Sequence, residues 1–178
     1  MNPVIQSFPP IANVGATRLI LGSMPGAASL AAGQYYAHPQ NAFWRIMGEL
    51  LGFVPDAPYA TRTQALQRAG IAVWDVLQYC QRPGSLDSAI VRASEVANDF
   101  APFYREHCAV TQVFFNGGAA EACFKRHCFE LTGARFLRFQ RLPSTSPAHA
   151  SLRFDAKLAV WRAALGVDEA DNMGCLSP

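Results

Sequence analysis

Several things are scarce in this sequence, and each shortage closes off a class of protein. No apolar run reaches the length needed to span a bilayer. The amino terminus, Met1 to Ser7, lacks the basic start and apolar stretch of a secretory signal, so a cytoplasmic location without membrane partners is expected. Lysine is nearly absent: only Lys125 and Lys157 occur among 15 basic residues, which leaves little for chemistry that needs a nucleophilic amine. The five cysteines, Cys80, Cys108, Cys123, Cys128 and Cys175, form no Cys-x-x-Cys pair and read as reduced thiols. Cys123 and His127 would share one face of a helix. With no second ligand pair apparent, neither zinc nor an iron–sulfur cluster is expected. The glycine-rich segment at Gly22 lacks both the Gly-Lys-Ser/Thr ending of a nucleoside-triphosphate loop and the dinucleotide spacing, which disfavours ATP or GTP hydrolysis.

What is present describes a folded chain. Of 178 residues 51% are hydrophobic and only 16% charged, which excludes a disordered protein and suits one domain over residues 1–178, with a core at about 14–165 and a peripheral tail at 166–178. The net charge of +2 is small, but six basic residues from Lys125 to Arg153 face a single acid, Glu130. A local run of that sign is the footprint expected for phosphate contact, although solvated faces carry such runs too.

Apolar β-type runs at Thr17–Leu21, Ile71–Trp74, Val110–Phe115 and Arg135–Phe139 alternate with helical patterns. The helices fall at Ala42–Leu51, Thr61–Ala69, Ser94–His107, after Gly117-Gly118, and at Arg153–Leu165. The alternation predicts an α/β fold with a mainly parallel sheet and helices on both faces. Functional loops of such sheets leave the carboxyl ends of the strands. Here those segments, 22–40, 75–89, 116–119 and 141–150, are also the richest in Gly, Pro, Ser, Asn and His.

Within them, Gly22, Ser23 and Met24 begin a turn whose backbone can approach a ligand closely. Tyr35 and Tyr36 offer flat faces for stacking a base. Asn41 stands where a helix begins, and position alone reads it as a cap. His38 fits a structural histidine, and Phe43 and Trp44 fit the core. Asn116 carries the donors and acceptor needed to read a base edge, with a turn as the competing reading. Ser144, Thr145 and Ser146, stiffened by Pro143 and Pro147, can bond phosphates through hydroxyls and amides.

Taken in order, Gly-Ser-Met-Pro-Gly-x-x-Ser, Tyr-Tyr-Ala-His-Pro-Gln-Asn-Ala-Phe-Trp-Arg, Asn116-Gly117 and Leu-Pro-Ser-Thr-Ser-Pro-Ala resemble the uracil-DNA glycosylase superfamily, nearest to its hypoxanthine (DNA-deoxyinosine) branch. The resemblance runs from about residue 17 to 163. It implies a three-layer α/β/α sandwich with a four-stranded mainly parallel sheet, and hydrolysis of a flipped deaminated base in DNA without metal or cofactor. It also implies Asn41 as the catalytic residue, Tyr36 stacking on the base, and Asn116 reading it with Gly22, Ser23 and Met24. Ser144, Thr145, Ser146, Arg141 and His149 would contact DNA. His149 stands where the family motif commonly has Asn, and its role is left open.

An amide does not titrate near neutrality, so Asn41 would position water through its carbonyl oxygen rather than remove a proton. Early bond breaking, with hydrogen bonds stabilising the departing base, follows from that. The rival readings are a uracil or mismatch glycosylase, a damage binder that has lost catalysis, and a hydrolase of free nucleosides. The expected partner is DNA containing a deaminated base, bound by a monomer.

Overall fold

The computed structural model describes residues 3–128, 130 and 137–166. In chain order its first elements are β1 (Val4–Gln6), β2 (Arg18–Gly22), α1 (Ala27–Ala32), α2 (Phe43–Leu51), α3 (Tyr59–Arg68), β3 (Ile71–Asp75) and β4 (Leu77–Gln81). There follow β5 (Val96–Ala97), α4 (Phe100–Glu106), β6 (Gln112–Asn116), α5 (Gly118–His127), β7 (Arg138–Leu142) and α6 (Phe154–Leu165).

Four strands form a parallel sheet in the order β3-β2-β6-β7. Leu19, Ile20 and Leu21 of β2 and all of β3 are buried, which a strand achieves only when both faces of its sheet are covered. The helices supply that cover in two groups. α2 packs against α3 and α6, while Phe124 of α5 meets Phe100 of α4 with ring centroids 5.6 Å apart. α2 buries Phe43, Ile46, Met47 and Leu50, whose helical spacing brings them to one side. The expected α/β architecture with a four-stranded parallel sheet is the one observed.

The four expected strands are not the whole sheet structure. β1, β4 and β5 make a second, antiparallel sheet that the periodicity did not reveal. Only Val76 separates β3 from β4, so one continuous run crosses between the sheets there. Strands of three and two residues, such as β1 and β5, are too short to show alternation. β5 and a 3-10 turn at Arg92–Ser94 also take the first half of the helix expected over Ser94–His107. The helix starts instead at Phe100, because the Asp99 carboxylate accepts from the Ala101 N–H at 3.0 Å and ends the extended segment. Asp99→Ala should cost about 1 kcal/mol in urea unfolding, the usual loss for such a cap.

β7 lies three residues later than the expected strand Arg135–Phe139, whose first two residues fall outside the described part. Arg138, Phe139 and Gln140 are exposed at the sheet edge, and only Leu142 is buried, so apolar patterning gave a poor guide to its limits. The tail at 167–178, with Cys175, also lies outside the described residues. Among the described residues no helix is long and apolar enough to cross a membrane.

Candidate active site

The carboxyl ends of all four parallel strands feed one cleft of about 360 Å³. Gly22, Ser23 and Met24 line it after β2, Asp75 ends β3, Asn116 ends β6, and residues 144–148 follow β7. The first loop adds Tyr36, His38 and Asn41, and a segment after β4 adds Ser85, Leu86 and Asp87. A second cavity of about 290 Å³ shares Asp87, Asn116 and Ser144 with the cleft and reaches Gly118 and His149.

Asn41 lines the cleft and also ties the start of α2. Its side-chain oxygen accepts from the Phe43 N–H at 3.0 Å, a donor the helix leaves free, while the first backbone bond of α2 runs from the Ile46 N–H to the Ala42 carbonyl. An amide oxygen has two lone pairs, and one remains for another donor. Next to it, Tyr36 has a φ of +55°, the only non-glycine left-handed residue among those described, a conformation that strains a bulky side chain. Its ring stacks on Phe43 at 4.0 Å, which fixes its plane, and its buried hydroxyl lies near the Asn116 side chain but outside hydrogen-bond geometry. Burial, then the nearby Asp75 carboxyl, pushes the phenol far above its ordinary range.

Asn116 does not face the cleft unencumbered. Its amide donates to the Thr145 hydroxyl at 2.9 Å and its oxygen accepts from the Thr145 N–H at 2.9 Å, leaving one N–H and one lone pair. Thr145 in turn accepts from the Ala42 N–H at 2.9 Å and is 1% exposed. Thr145 lines the cleft, and its hydroxyl and backbone also brace β6 to the start of α2, while Ser144 and Ser146 are the loop hydroxyls nearer solvent. Gly117 is needed beside this brace. It sits at φ +95°, and a Cβ there would lie 2.8 Å from that of Ser144.

Sequence reasoning missed a polar cluster on the opposite wall. The Ser23 hydroxyl donates to Asp87 at 2.7 Å, Arg82 lies 3.8 Å from Asp87, and the buried Arg82 guanidinium also donates to the carbonyls of Pro25 and Gly84. Asp75 is 3% exposed, and its Oδ2 has no hydrogen-bond partner. Burial, then the Asp87 charge, pushes its carboxyl up to about 8 against the pull of Arg82. Burial raises Asp87 too, opposed by the Ser23 hydroxyl and Arg82. The available signal was a lone acid inside the apolar run Ile71–Leu77, at the carboxyl end of a strand.

The basic run is less positive in space than in sequence. Lys125 and Arg141 pair with Glu121 at 2.7 and 3.3 Å, and Arg126 and His127 both pair with Glu95. Arg141 lies outside the cleft, beside the start of α5, and His149 is exposed. Glu95 also supplies the third donor that the Cys123–His127 pair lacked: their ligand atoms lie within 4.8 Å of one another. Burial would raise Glu95, but the His127 and Arg126 hydrogen bonds hold it below its ordinary value, so the carboxylate already has cationic partners. Cys80, Cys123 and Cys128 are buried thiols.

A cleft at the switch edge of a parallel sheet, walled by a fixed aromatic ring, two amides and two carboxyls, defines an α/β enzyme built to hold a flat, polar ring. Comparison with known sequences agrees. The profile of the Uracil DNA glycosylase superfamily matches residues 9–165, and the chain belongs to that family. It is 37% identical over 117 residues to the Hypoxanthine DNA glycosylase of Methanosarcina barkeri, covering 63% of this chain and 70% of that protein. The protein of the same description from Methanosarcina acetivorans is 34% identical over 116 residues, 65% of this chain and 72% of the other. Among solved structures, a solution NMR structure of a Methanosarcina acetivorans protein described as a candidate uracil DNA glycosylase superposes with a TM-score of 0.73 at 30% identity, covering 91% of this chain and 99% of that one.

Proposed function

We propose that this protein is a monofunctional DNA glycosylase that hydrolyses the N-glycosidic bond of deaminated bases, hypoxanthine foremost, as a cytoplasmic monomer acting in base excision repair. The observation that carries the reading is the meeting of Asn41, Tyr36 and Asn116 in one cleft beside a hydroxyl-rich loop. Such a cleft suits a nucleotide turned out of the duplex, a step that costs a few kcal/mol and least for a badly paired base. Tyr36, held by Phe43, offers the base a ring of fixed orientation. The remaining N–H of Asn116 reads an acceptor on the base. Asn41 uses its second lone pair to hold the attacking water. Ser144, Ser146, His149 and Arg141 flank the path on which the DNA backbone would run.

The reaction draws on no metal, cofactor or covalent intermediate. A lyase step needs an amine at the sugar, and neither lysine lines the cleft. Lys157 is buried with its ammonium donating to the His149 carbonyl at 2.7 Å, and Lys125 is paired with Glu121. Incubation with oligonucleotides carrying single deoxyinosine, deoxyuridine or deoxyxanthosine should yield alkali-labile abasic sites at inosine, no strand break before alkali, and no borohydride-trapped adduct. Trapping would assign a lyase; inert behaviour on all three would favour a damage binder. Uracil is the second reading, supported by the description of the structural relative.

A further inference from the structure

Asp75 and Tyr36 present an unusual pair of atoms. Asp75 Oδ2 and the Tyr36 hydroxyl are both buried and both belong to residues lining the cleft; Oδ2 has no hydrogen-bond partner, and the hydroxyl has the Asn116 side chain near it but outside hydrogen-bond geometry. The Asp75 carboxyl and the Tyr36 hydroxyl converge over Gly22, the residue paired with Asp75 across β2 and β3. A Cβ at Gly22 would lie 2.4 Å from Asp75 Oδ1 and 3.2 Å from the Tyr36 oxygen. Orphaned buried polar groups are rare because each costs its desolvation energy, and two at the end of one cleft point to a ligand that completes them. A purine in the cleft supplies suitable partners, with ring nitrogens and a carbonyl oxygen as acceptors and a ring N–H as donor.

We infer that Asp75 is a second catalytic residue, the acid that hands its carboxyl proton to the departing purine. The inference rests on the glycosylase reading above. As the bond from C1′ to the base nitrogen breaks, its electron pair passes into the ring, and the ring becomes basic enough to take the Asp75 proton. The base leaves neutral and Asp75 becomes a carboxylate. Water held by Asn41 adds to C1′, its surplus proton goes to solvent, and solvent returns one to Asp75. One water is consumed for each base released.

The neighbours of Asp75 suit an acid. Tyr36 and Tyr35 approach from the first loop, and Asp87, which accepts from the Ser23 hydroxyl, and Arg82 act from the segment after β4. Of the two carboxyls, Asp87 has the Ser23 hydroxyl and Arg82 as partners. Asp75 has the burial and the adjacent negative charge that favour its protonated form, and this division of roles is how paired carboxyls separate. With its carboxyl held at about 8, Asp75 carries its proton at neutral pH.

The test is single-turnover excision of deoxyinosine from a duplex oligonucleotide between pH 5.5 and 9.5, with the wild-type protein and Asp75→Asn. The wild-type rate should fall about tenfold per pH unit above a midpoint near 8. Asp75→Asn should excise about 100-fold more slowly at pH 7, lack that limb, and still shift inosine DNA in a gel. The variant should also fold. A carboxyl whose folded value is raised loses stability as pH climbs from about 4 to about 8, so the amide should melt at or above wild type at pH 8.5. Deprotonation of the inosine ring adds a separate limb common to both proteins, and the ratio of the two rates cancels it. A variant within threefold of wild type, a rate ratio that does not change with pH, or a flat wild-type profile overturns the assignment. A wild-type protein inert on inosine would instead remove the functional reading, and the inference with it.

Discussion

Asn41→Ala should lower single-turnover excision of hypoxanthine by about 100- to 1,000-fold, the range lost when a preorganised group at a reaction centre is deleted, while binding of inosine DNA changes by less than about threefold. Two effects run together in this variant, and the structure separates them. Asn41 oxygen accepts from the Phe43 N–H at 3.0 Å, so alanine also removes a helix cap and should cost about 1 kcal/mol of stability. Its own N–H donates to the His38 carbonyl at 2.8 Å, a bond that alanine keeps, so the turn into α2 persists. Asn41→Ser discriminates. A serine hydroxyl caps nearly as well as asparagine but lacks the reach and the second polar atom of the carboxamide. Serine should therefore restore the melting temperature and leave excision slow. If serine restores both, Asn41 is a cap and the water is held elsewhere. The amide does not titrate, so the Asn41→Ala rate should keep the wild-type pH profile, in contrast to Asp75→Asn.

This pairing of roles explains why some of the site was legible in the sequence and some was not. Strands β2, β3 and β6 announce themselves because each is covered on both faces and so is apolar along its middle. The loops after them follow from topology alone, and Gly22, Tyr36, Asn41, Asn116 and the Ser144–Ser146 segment do meet in one cleft. What a linear reading does not carry is partnership. Thr145 looks like its serine neighbours, yet three hydrogen bonds turn it inward. The basic run counted from Lys125 excluded Glu121, one helical turn before it, and Glu95, which the fold returns to the same surface. Asp75 and Asp87 lie in different segments, and their mutual effect exists only once β4 has carried the chain back past the cleft. α1 was hidden for a simpler reason: five small residues and Leu30 between two glycines give no apolar stripe.

Gly22→Ala carries the other large effect, and it tests how closely the cleft end is packed. Gly22 is not in the left-handed region, so alanine meets no backbone penalty, unlike at Gly117 with its φ of +95°. The cost is steric. The new Cβ would stand 2.4 Å from Asp75 Oδ1 and 3.2 Å from the Tyr36 hydroxyl. Asp75 is short, 3% exposed and held at the end of β3, where its carbonyl accepts from the Asn98 amide at 2.9 Å, so its carboxyl has little room to retreat except into the cleft. Overpacking of this kind costs about 1–3 kcal/mol. Moving the carboxyl into the space meant for the base should also lower excision by about 100-fold, by misplacing the acid and obstructing the ring together. A double-mutant cycle with Asp75→Ala identifies the clash. Trimming Asp75 removes the atom that the new methyl strikes, so Gly22→Ala should destabilise the Asp75→Ala background by much less than it destabilises wild type, with a coupling of about 1 kcal/mol or more. Equal costs in the two backgrounds would place the strain elsewhere, between the backbones of β2 and β3, and would detach Asp75 from the role that Gly22 makes room for.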